Sequence, residues 1–268
     1  MTLCVVWRDR DTLHIAADSY VSTGTDLGPA AAVKVTRRRY AIVAGQGDDG
    51  APAMLSGDVA FCFAGGGPEM RHLKQALTAT FDKSEPISGH DDIGFEGVAR
   101  IAFSAYRAIT RILHASTGRR GFYRVIVAGH CFATSTLRSF RLSTEWVEGE
   151  DGVEPHHAMD ELLRSTAHVF IGDGGPAARQ RARQHSLPLS TAEILDILQG
   201  VIDDPHQIGV TGAIQYGRFE GPDFKLFEVM DRTAEADFWG GTPNLHARDF
   251  DAAFAIGYPM IPLDAPAP

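Results

Sequence analysis

The chain has 268 residues, 44 % hydrophobic and 22 % charged, so it can bury a sizeable core without a metal or disulfides. Its net charge of −9, with no basic run beyond residues 37–39, argues against nucleic-acid binding. The apolar runs are shorter than the roughly 20 residues of a membrane span, and charged residues 8–11 interrupt any signal peptide. We therefore expect a cytoplasmic protein that contacts neither a membrane nor nucleic acid.

The sequence offers no obvious site for a metal or another cofactor. Cys4, Cys62 and Cys131 are odd in number, widely spaced and flanked by apolar residues, which favours small buried thiols over a bridge. His156 and His157 lie in an acidic, Pro-containing stretch without a third ligand at a usable spacing. We expect neither a metal nor a cofactor.

Short apolar segments typical of strands recur along the chain up to about residue 229. Residues 3–7 and 13–17 flank the polar residues 8–11 and predict a β-hairpin. Gly-, Asp- and Pro-rich residues predict a loop at 45–57, and acidic residues predict another at 148–154. Further strands are predicted at residues 34–43, 59–64, 124–129, 137–142, 168–171, 213–219 and 224–229.

Helical periodicity predicts two helices between residues 73 and 112, and turn and capping signals predict two more after residue 172. Leu73, Leu77 and Phe81 recur at helical spacing. A helix is also predicted after the Gly-rich turn at 172–175, and Ser190 with Glu193 forms a capping box for another. A second amphipathic helix is indicated by Val98, Ile101, Ala102, Ala105, Ile109 and Ile112.

This order of elements predicts an α+β fold. Two antiparallel sheets between helix layers, a four-layer α/β/β/α sandwich, would bury every apolar face. We expect one domain at residues 1–230. Residues 231–268 are rich in Pro, Gly, Asp and scattered aromatics, and we expect this C-terminal extension to pack on the domain or on a neighbouring subunit.

The hairpin brings a hydroxyl and a carboxylate together. If its turn is centred on residues 8–11, paired residue numbers sum to 19 or 20, and Thr2 lies opposite Ala17 or Asp18. Removal of Met1, expected before a small residue, would add a free α-amine with a pKa of roughly 7.7 to 8.0, a suitable base for Thr2 as nucleophile. The alternative is that Thr2 merely begins a strand.

Several motifs resemble the proteasome β subunits and their bacterial relatives, which are N-terminal-nucleophile hydrolases. Thr2, Asp18 and Lys34 repeat that family's two intervals of sixteen residues. Residues 34–40 resemble HslV, the proteolytic subunit of a bacterial two-component protease, and residues 63–66 resemble the family's strand ending in Ala-Gly-Gly. The resemblance implies the proteasome fold.

Later motifs extend the resemblance in the same order to about residue 229. Residues 171–175 are similar to an Ile-Gly-Ser-Gly-Gly turn, 125–129 to the strand before it, and 204–209 with 213–214 to the closing segment. The implied site residues are Thr2 as nucleophile, Asp18, Lys34, Gly65 as the oxyanion-hole amide, Asp173 and Asp204.

Two departures from the family pattern bear on the type of relative. Asp173 stands where the family has Ser, and its carboxylate would accept a hydrogen bond from the amine but weaken that amine as a base. Insertions at 45–57, 84–95 and 143–160, with the tail after 230, exceed a minimal subunit. This favours a relative of the ancestral-β (Anbu) type.

The resemblance implies a threonine peptidase or amide hydrolase that forms an acyl-enzyme on Thr2. It also implies a homo-oligomer that can be ring-shaped, with peptide or unfolded-protein substrates and an ATPase as a candidate partner. Two alternatives remain open: a catalytically inactive ring or scaffold protein that keeps Met1, and a hydrolase of one small metabolite amide.

Overall fold

The computed structural model describes most of the chain through residue 230 and short parts beyond it. The described residues are 2–21, 30–31, 33–46, 50–65, 67–82, 87–88, 94–118, 120–121, 123–149, 152–207, 209–230, 238–239, 242–243 and 260–262. Within them the fold is α+β, with two main sheets and four helices. The helices are α1 (Gly67–Asp82), α2 (Phe95–Thr117), α3 (Gly175–Ala182) and α4 (Thr191–Ile202). The strands are β1 (Cys4–Asp9), β2 (Thr12–Asp18), β3 (Tyr20–Val21), β4 (Ala30–Ala31), β5 (Val35–Gln46), β6 (Pro52–Ala64), β7 (Ile87–Ser88), β8 (Arg124–Cys131), β9 (Thr136–Gly149), β10 (Gly152–Glu161), β11 (His168–Ile171), β12 (Ile214–Glu220), β13 (Asp223–Met230), β14 (Phe238–Trp239), β15 (Thr242–Pro243) and β16 (Met260–Pro262).

Each main sheet has six strands in the described residues. The first has the order β11-β1-β2-β12-β13-β16, and the second has the order β10-β9-β8-β6-β5-β7. Both are antiparallel except at one edge, where β16 runs parallel to β13 and β7 runs parallel to β5. The short strands form two separate pairs, β3 with β4 and β14 with β15.

Strand β1 is buried on both faces, and its side chains alternate between two environments. Leu3, Val5 and Trp7 share a buried cluster with residues of α3 and α4. Cys4 and Val6 point to the other face and share a cluster with residues of the second sheet. This period of two is the geometry of an extended strand, so the first sheet lies between the helices α3 and α4 and the second sheet.

Strand β6 repeats this alternation in the second sheet. Phe61 and Phe63 pack with residues of α1 and α2, whereas Ala60, Cys62 and Ala64 face the cluster shared with β1 and β2. All three cysteines are buried and free, which confirms the prediction of small packed thiols.

The predicted helix signals hold where the structure describes them. Ser190 accepts a hydrogen bond from the backbone N–H of Glu193, and the Glu193 carboxylate accepts one from the Ser190 backbone N–H. This confirms the capping box at the start of α4. The apolar positions predicted for α2 lie along its buried or partly buried side, except Ile112, which is 66 % exposed.

The two predicted loops, at residues 45–57 and 148–154, are shorter than predicted because the strands continue beyond the core. Strand β6 begins at Pro52 rather than 59, and β9 and β10 form a long hairpin in which Gly149 pairs with Gly152. The side chains in the first half of β6 are mostly exposed, so no hydrophobic alternation reveals the backbone pairing. The predicted insertions at 143–160 are therefore largely strand; residues 47–49 and 150–151 lie outside the described residues.

The C-terminal extension is described only at β14, β15 and β16. Strand β16 adds to the edge of the first sheet beside β13, and the division at residue 230 stays a prediction. None of the helices in the described ranges has the length and hydrophobicity to cross a membrane. In the same ranges, no three His, Cys, Asp or Glu side chains cluster as metal ligands.

Candidate active site

Thr2 lies at the end of the first sheet and is 1 % exposed. Strand β1 pairs with β2 so that Cys4 faces Ala17 and Asp9 faces Thr12. These residue numbers sum to 21, so the predicted sum of 19 or 20 was wrong and Asp18 lies beside Leu3. The reason is the short turn at Arg10 and Asp11, in which Arg10 has φ +54°.

Asp18 reaches the site from the end of β2. Its backbone N–H donates to the carbonyl of Leu3, and its Oδ1 accepts from the Leu3 N–H at 2.8 Å. The same Oδ1 lies 2.8 Å from Nζ of Lys34. A buried carboxylate needs such partners, because an unpaired charge in the interior is very unfavourable.

Lys34 lies just before β5 in the second sheet and is 3 % exposed. Its Nζ is 3.4 Å from Oγ1 of Thr2 and 2.8 Å from Oδ1 of Asp18. The ion pair therefore spans the two sheets, and it places a positive charge against the Thr2 hydroxyl.

Gly65 follows β6 and completes the contacts of the Thr2 hydroxyl. The Thr2 Oγ1 donates to the Gly65 carbonyl at 3.0 Å, and the Gly65 N–H donates to Oγ1 at 3.4 Å. Gly65 has φ +153°, a backbone conformation that L side chains rarely adopt. The structure thus brings Thr2, Asp18, Lys34 and Gly65 together.

The Gly-rich turn at 172–175 holds the backbone of Thr2. The Gly174 N–H donates to the Thr2 carbonyl at 3.2 Å. Gly172 has φ +93°, and a Cβ built on it would lie 2.2 Å from the same oxygen. Asp173 is exposed between these two glycines, so the turn brings its backbone neighbours against Thr2.

Asp204 lies just past the end of α4. Its carboxylate accepts from the guanidinium of Arg181 at 3.4 Å and from the backbone N–H of His206 at 3.0 Å. These contacts tie the segment after α4 to α3. The catalytic roles assigned to Asp204 and to the other site residues stay predictions.

Cys4 lies two residues from Thr2 and is fully buried. Its Sγ donates to the carbonyl of Phe63 at 3.4 Å. Burial, followed by interaction with Cys62, raises the pKa of the Cys4 thiol well above its ordinary value. Cys4 is therefore protonated and packs in the core. It is unreactive, because the thiolate is the reactive form of cysteine.

Sequence reasoning missed Gly174 and Gln215 as site residues. Gln215 is 4 % exposed and its Oε1 accepts from the backbone N–H groups of Lys34 and Val35. The available signal was strand alternation, because Gln215 shares a strand face with Phe219, whose side chain packs between the sheets. A polar residue on an inward face needs a buried partner.

The comparisons with known proteins identify a shared fold. No family model and no curated protein matches the sequence. The ancestral β-subunit Anbu from Yersinia bercovieri aligns over 84 % of this chain and 86 % of its own, with TM-score 0.57 and 12 % identity. Anbu from Hyphomicrobium sp. strain MC1 aligns over 84 % of this chain and 87 % of its own, with TM-score 0.56 and 15 % identity.

A third structure, the helical assembly of the Anbu complex from Pseudomonas aeruginosa, aligns over 84 % of this chain and 85 % of its own, with TM-score 0.56 and 12 % identity. Identities this low establish the fold alone. The chain therefore has the proteasome-type fold of the ancestral β-subunit, the relative that the sequence motifs indicated.

Proposed function

We propose that this chain is an N-terminal threonine hydrolase that cleaves peptide or amide bonds through an acyl-enzyme on Thr2. One observation carries the proposal. Lys34 Nζ and the Gly65 N–H each lie 3.4 Å from the Thr2 hydroxyl oxygen, and Lys34 is held by Asp18. A cation and an amide donor around one buried hydroxyl are the parts that an activated nucleophile requires.

The first half of the reaction forms an ester. Removal of Met1 frees the α-amine of Thr2, which accepts the proton of the hydroxyl as Oγ1 attacks the carbonyl carbon. The charge of Lys34 favours the alkoxide, and the Gly65 N–H stabilises the tetrahedral oxyanion, an interaction worth about 3 kcal/mol. The carbon–nitrogen bond then breaks, and the leaving amine takes the proton.

The second half regenerates the enzyme. Water attacks the ester carbon while the α-amine accepts its proton, and the acid product leaves as the proton returns to Oγ1. The amine serves as base in both halves, which a single terminal residue can do because its pKa is close to neutral pH.

The layered packing supports the proteasome-type architecture that this mechanism uses. One apolar cluster lies between α1, α2 and the second sheet, one between the sheets, and one between the first sheet and α3, α4. We infer a four-layer α/β/β/α sandwich of residues 1–230 in which the site lies at the junction of the two sheets.

We further propose a cytoplasmic homo-oligomer with peptide or unfolded-protein substrates. A protein of this fold from Pseudomonas aeruginosa forms a helical assembly, which supports self-association here. An ATPase that delivers substrate is the corresponding partner. Native mass spectrometry of the purified chain measures the number of subunits, and a monomer at micromolar concentration would contradict the assembly.

Labelling of Thr2 tests the catalytic proposal. The purified protein is analysed by intact mass and N-terminal sequencing, then treated with a peptide epoxyketone, which reacts with both the amine and the hydroxyl of a terminal Thr. We expect loss of Met1 and one adduct on Thr2, absent in Thr2→Ala and retained in Thr2→Ser. Retained Met1 without labelling would instead favour the inactive scaffold.

A substrate comparison separates a peptidase from a metabolite hydrolase. Unfolded casein and fluorogenic peptides are assayed beside a panel of small amides, with Thr2→Ala as the matched control. We expect Thr2-dependent cleavage of the peptides. Thr2-dependent cleavage of a small amide alone would contradict the peptidase assignment and retain the amide-hydrolase chemistry.

A further inference from the structure

Gln215 supports Lys34 through the Lys34 main chain rather than through the Lys34 ammonium charge. The Gln215 Oε1 accepts two hydrogen bonds, from the Lys34 N–H at 2.7 Å and from the Val35 N–H at 3.0 Å. Two consecutive backbone N–H groups that converge on one oxygen form a concave donor site, a nest. Successive N–H groups of a regular strand point in opposite directions, so this acceptor stabilises a bend where Lys34 enters β5.

The acceptor itself is fixed by the first sheet. Gln215 pairs with Ala17 on one side and with Glu228 on the other. Its side chain is 4 % exposed. Gln215 therefore belongs to a strand whose position is set by hydrogen bonds from both neighbouring strands. Its side chain reaches from the first sheet to the main chain of Lys34 at the second sheet.

The opposite side of Lys34 is held by the second sheet. The Lys34 carbonyl accepts from the N–H of Phe63 at 3.2 Å, and Val35 pairs with Cys62. The Lys34 main chain is thus held by β12 on its donor side and by β6 on its acceptor side. Its ammonium meets Asp18 at 2.8 Å, so removal of the Gln215 acceptor releases one of the three anchors.

We propose that Gln215 is a positioning residue that sets the distance between the Lys34 ammonium and the Thr2 hydroxyl. The inference rests on the proposed hydrolase function for its kinetic effect, although the placement of Lys34 is measurable without activity. Gln215 lies outside the pattern of Thr2, Asp18 and Lys34 that the sequence motifs supplied. Its role is to hold the main chain of Lys34 rather than to contact substrate.

The test compares Gln215→Met, which keeps the side-chain length but removes the acceptor, with Gln215→Glu, which keeps an acceptor oxygen. We expect Gln215→Met to lower kcat for a fluorogenic peptide by about 10- to 100-fold with little change in KM, since misplacement of a reacting group by about 1 Å has effects of this size. Gln215→Glu should retain kcat within a few-fold of the wild type.

Two controls separate positioning from loss of stability. Gln199→Met makes the same substitution on α4, where the amide contacts only the nearby Asp203 carboxylate among the described hydrogen bonds, and it should leave kcat unchanged. Val98→Ala destabilises the core between α2 and the second sheet without touching the site. Equal losses of kcat in Val98→Ala and Gln215→Met at matched melting temperatures would overturn the proposal.

Crystal structures of the wild type and Gln215→Met provide a measurement that does not depend on catalysis. We expect Lys34 Nζ to move by about 1 Å or more from its 3.4 Å contact with Thr2 Oγ1. An unchanged Lys34 in Gln215→Met would overturn the positioning role even if the enzyme is active. A displaced Lys34 in a wild-type protein that never labels at Thr2 would support the positioning role and contradict the hydrolase function.

Discussion

Gly172 approaches the carbonyl of Thr2 so closely that a Cβ on Gly172 would lie 2.2 Å from that oxygen. The Cβ is bonded directly to the main chain and the oxygen is a main-chain atom, so neither can rotate away from the other. Gly172→Ala can therefore be accommodated only by moving the turn or Thr2 itself. We expect this variant to slow epoxyketone labelling at Thr2 by at least about tenfold, because small displacements of a reacting group are costly.

Gly50→Ala is the matched control for that substitution. Gly50 also has a positive φ, +78°, but a Cβ there meets nothing within 4 Å. Its conformational cost of about 1–2 kcal/mol should appear in denaturant unfolding without any effect on labelling. Equal labelling rates in Gly172→Ala and wild type would show that the turn does not position Thr2.

The Asp18–Lys34 pair should affect stability and activity separately. Asp18→Asn keeps an acceptor for the Leu3 N–H but leaves the buried Lys34 charge without its carboxylate. We expect a loss of about 3–5 kcal/mol in the free energy of unfolding, together with loss of Thr2 labelling. Urea unfolding followed by circular dichroism measures the first effect, and intact mass measures the second.

The double variant Asp18→Asn with Lys34→Met distinguishes these effects. Removing both charges should restore much of the stability, since buried ion pairs are often replaceable by apolar groups, but it should not restore labelling. Glu220→Gln is the control, because it removes an ion pair of 3.1 Å with Arg218 in which the Glu220 side chain is 49 % exposed. It should change stability by less than about 1 kcal/mol. Labelling by the double variant would contradict the role of Lys34.

Stability should fall in acid because of His14. The His14 ring packs against both Trp7 and Tyr216, which also stack on each other. Its Nδ1 lies 2.7 Å from the Tyr216 hydroxyl. Burial lowers the pKa of His14 from 6.5 to about 4. The unfolded chain therefore binds the proton first, so this stability is present above about pH 6.5 and is lost as the pH falls to about 4.

The loss attributable to His14 reaches about 3 kcal/mol at the acid end of that range, from 1.36 kcal/mol per pKa unit. His14→Phe should lower stability at neutral pH, because the Tyr216 hydroxyl loses one of its hydrogen-bond partners, but should flatten the dependence on pH between 6.5 and 4. Free energies of unfolding measured across this range for both proteins give the difference. Parallel curves would contradict the buried neutral state of His14.

The cysteines should be unreactive in the folded protein. Cys4 and Cys62 are 0 % exposed and Cys131 is 1 % exposed. We expect iodoacetamide to add no mass to the native chain and three carbamidomethyl groups in guanidinium chloride. Rapid alkylation of Cys4 in the native state would contradict its burial and would make it a competing target in the Thr2 labelling experiment.

The local structure was largely predictable because it depends on neighbouring residues. The strand at 168–171 and the capping box at Ser190 and Glu193 follow from short-range patterns, and both match the structure. The predicted β1–β2 register was wrong, because paired residue numbers sum to 21 rather than to 19 or 20. The register depends on the conformation of Arg10 in a tight turn. The first half of β9 was predicted as the strand at 137–142. Its continuation and β10 were missed because their described side chains from Glu145 onward are exposed or half-buried, without a buried apolar face.

The candidate site was predictable only in part. The intervals between Thr2, Asp18 and Lys34 pointed to residues that the structure brings within hydrogen-bonding distance. Gln215 had no such spacing, since its contact with Lys34 joins residues 181 positions apart. Contacts of this kind depend on how the sheets are docked, and no local pattern encodes docking.

The distribution of the site along the chain has a consequence for synthesis. Groups that contact Thr2 come from residues 34, 65 and 174, so the site requires both sheets and the turn before α3. Contacts between such distant residues form late in folding, because long loops must close first. A nascent chain that has not yet emerged through the turn before α3 therefore carries Thr2 without all of its surrounding groups, and the proposed hydrolytic activity would begin only after that turn has folded against Thr2.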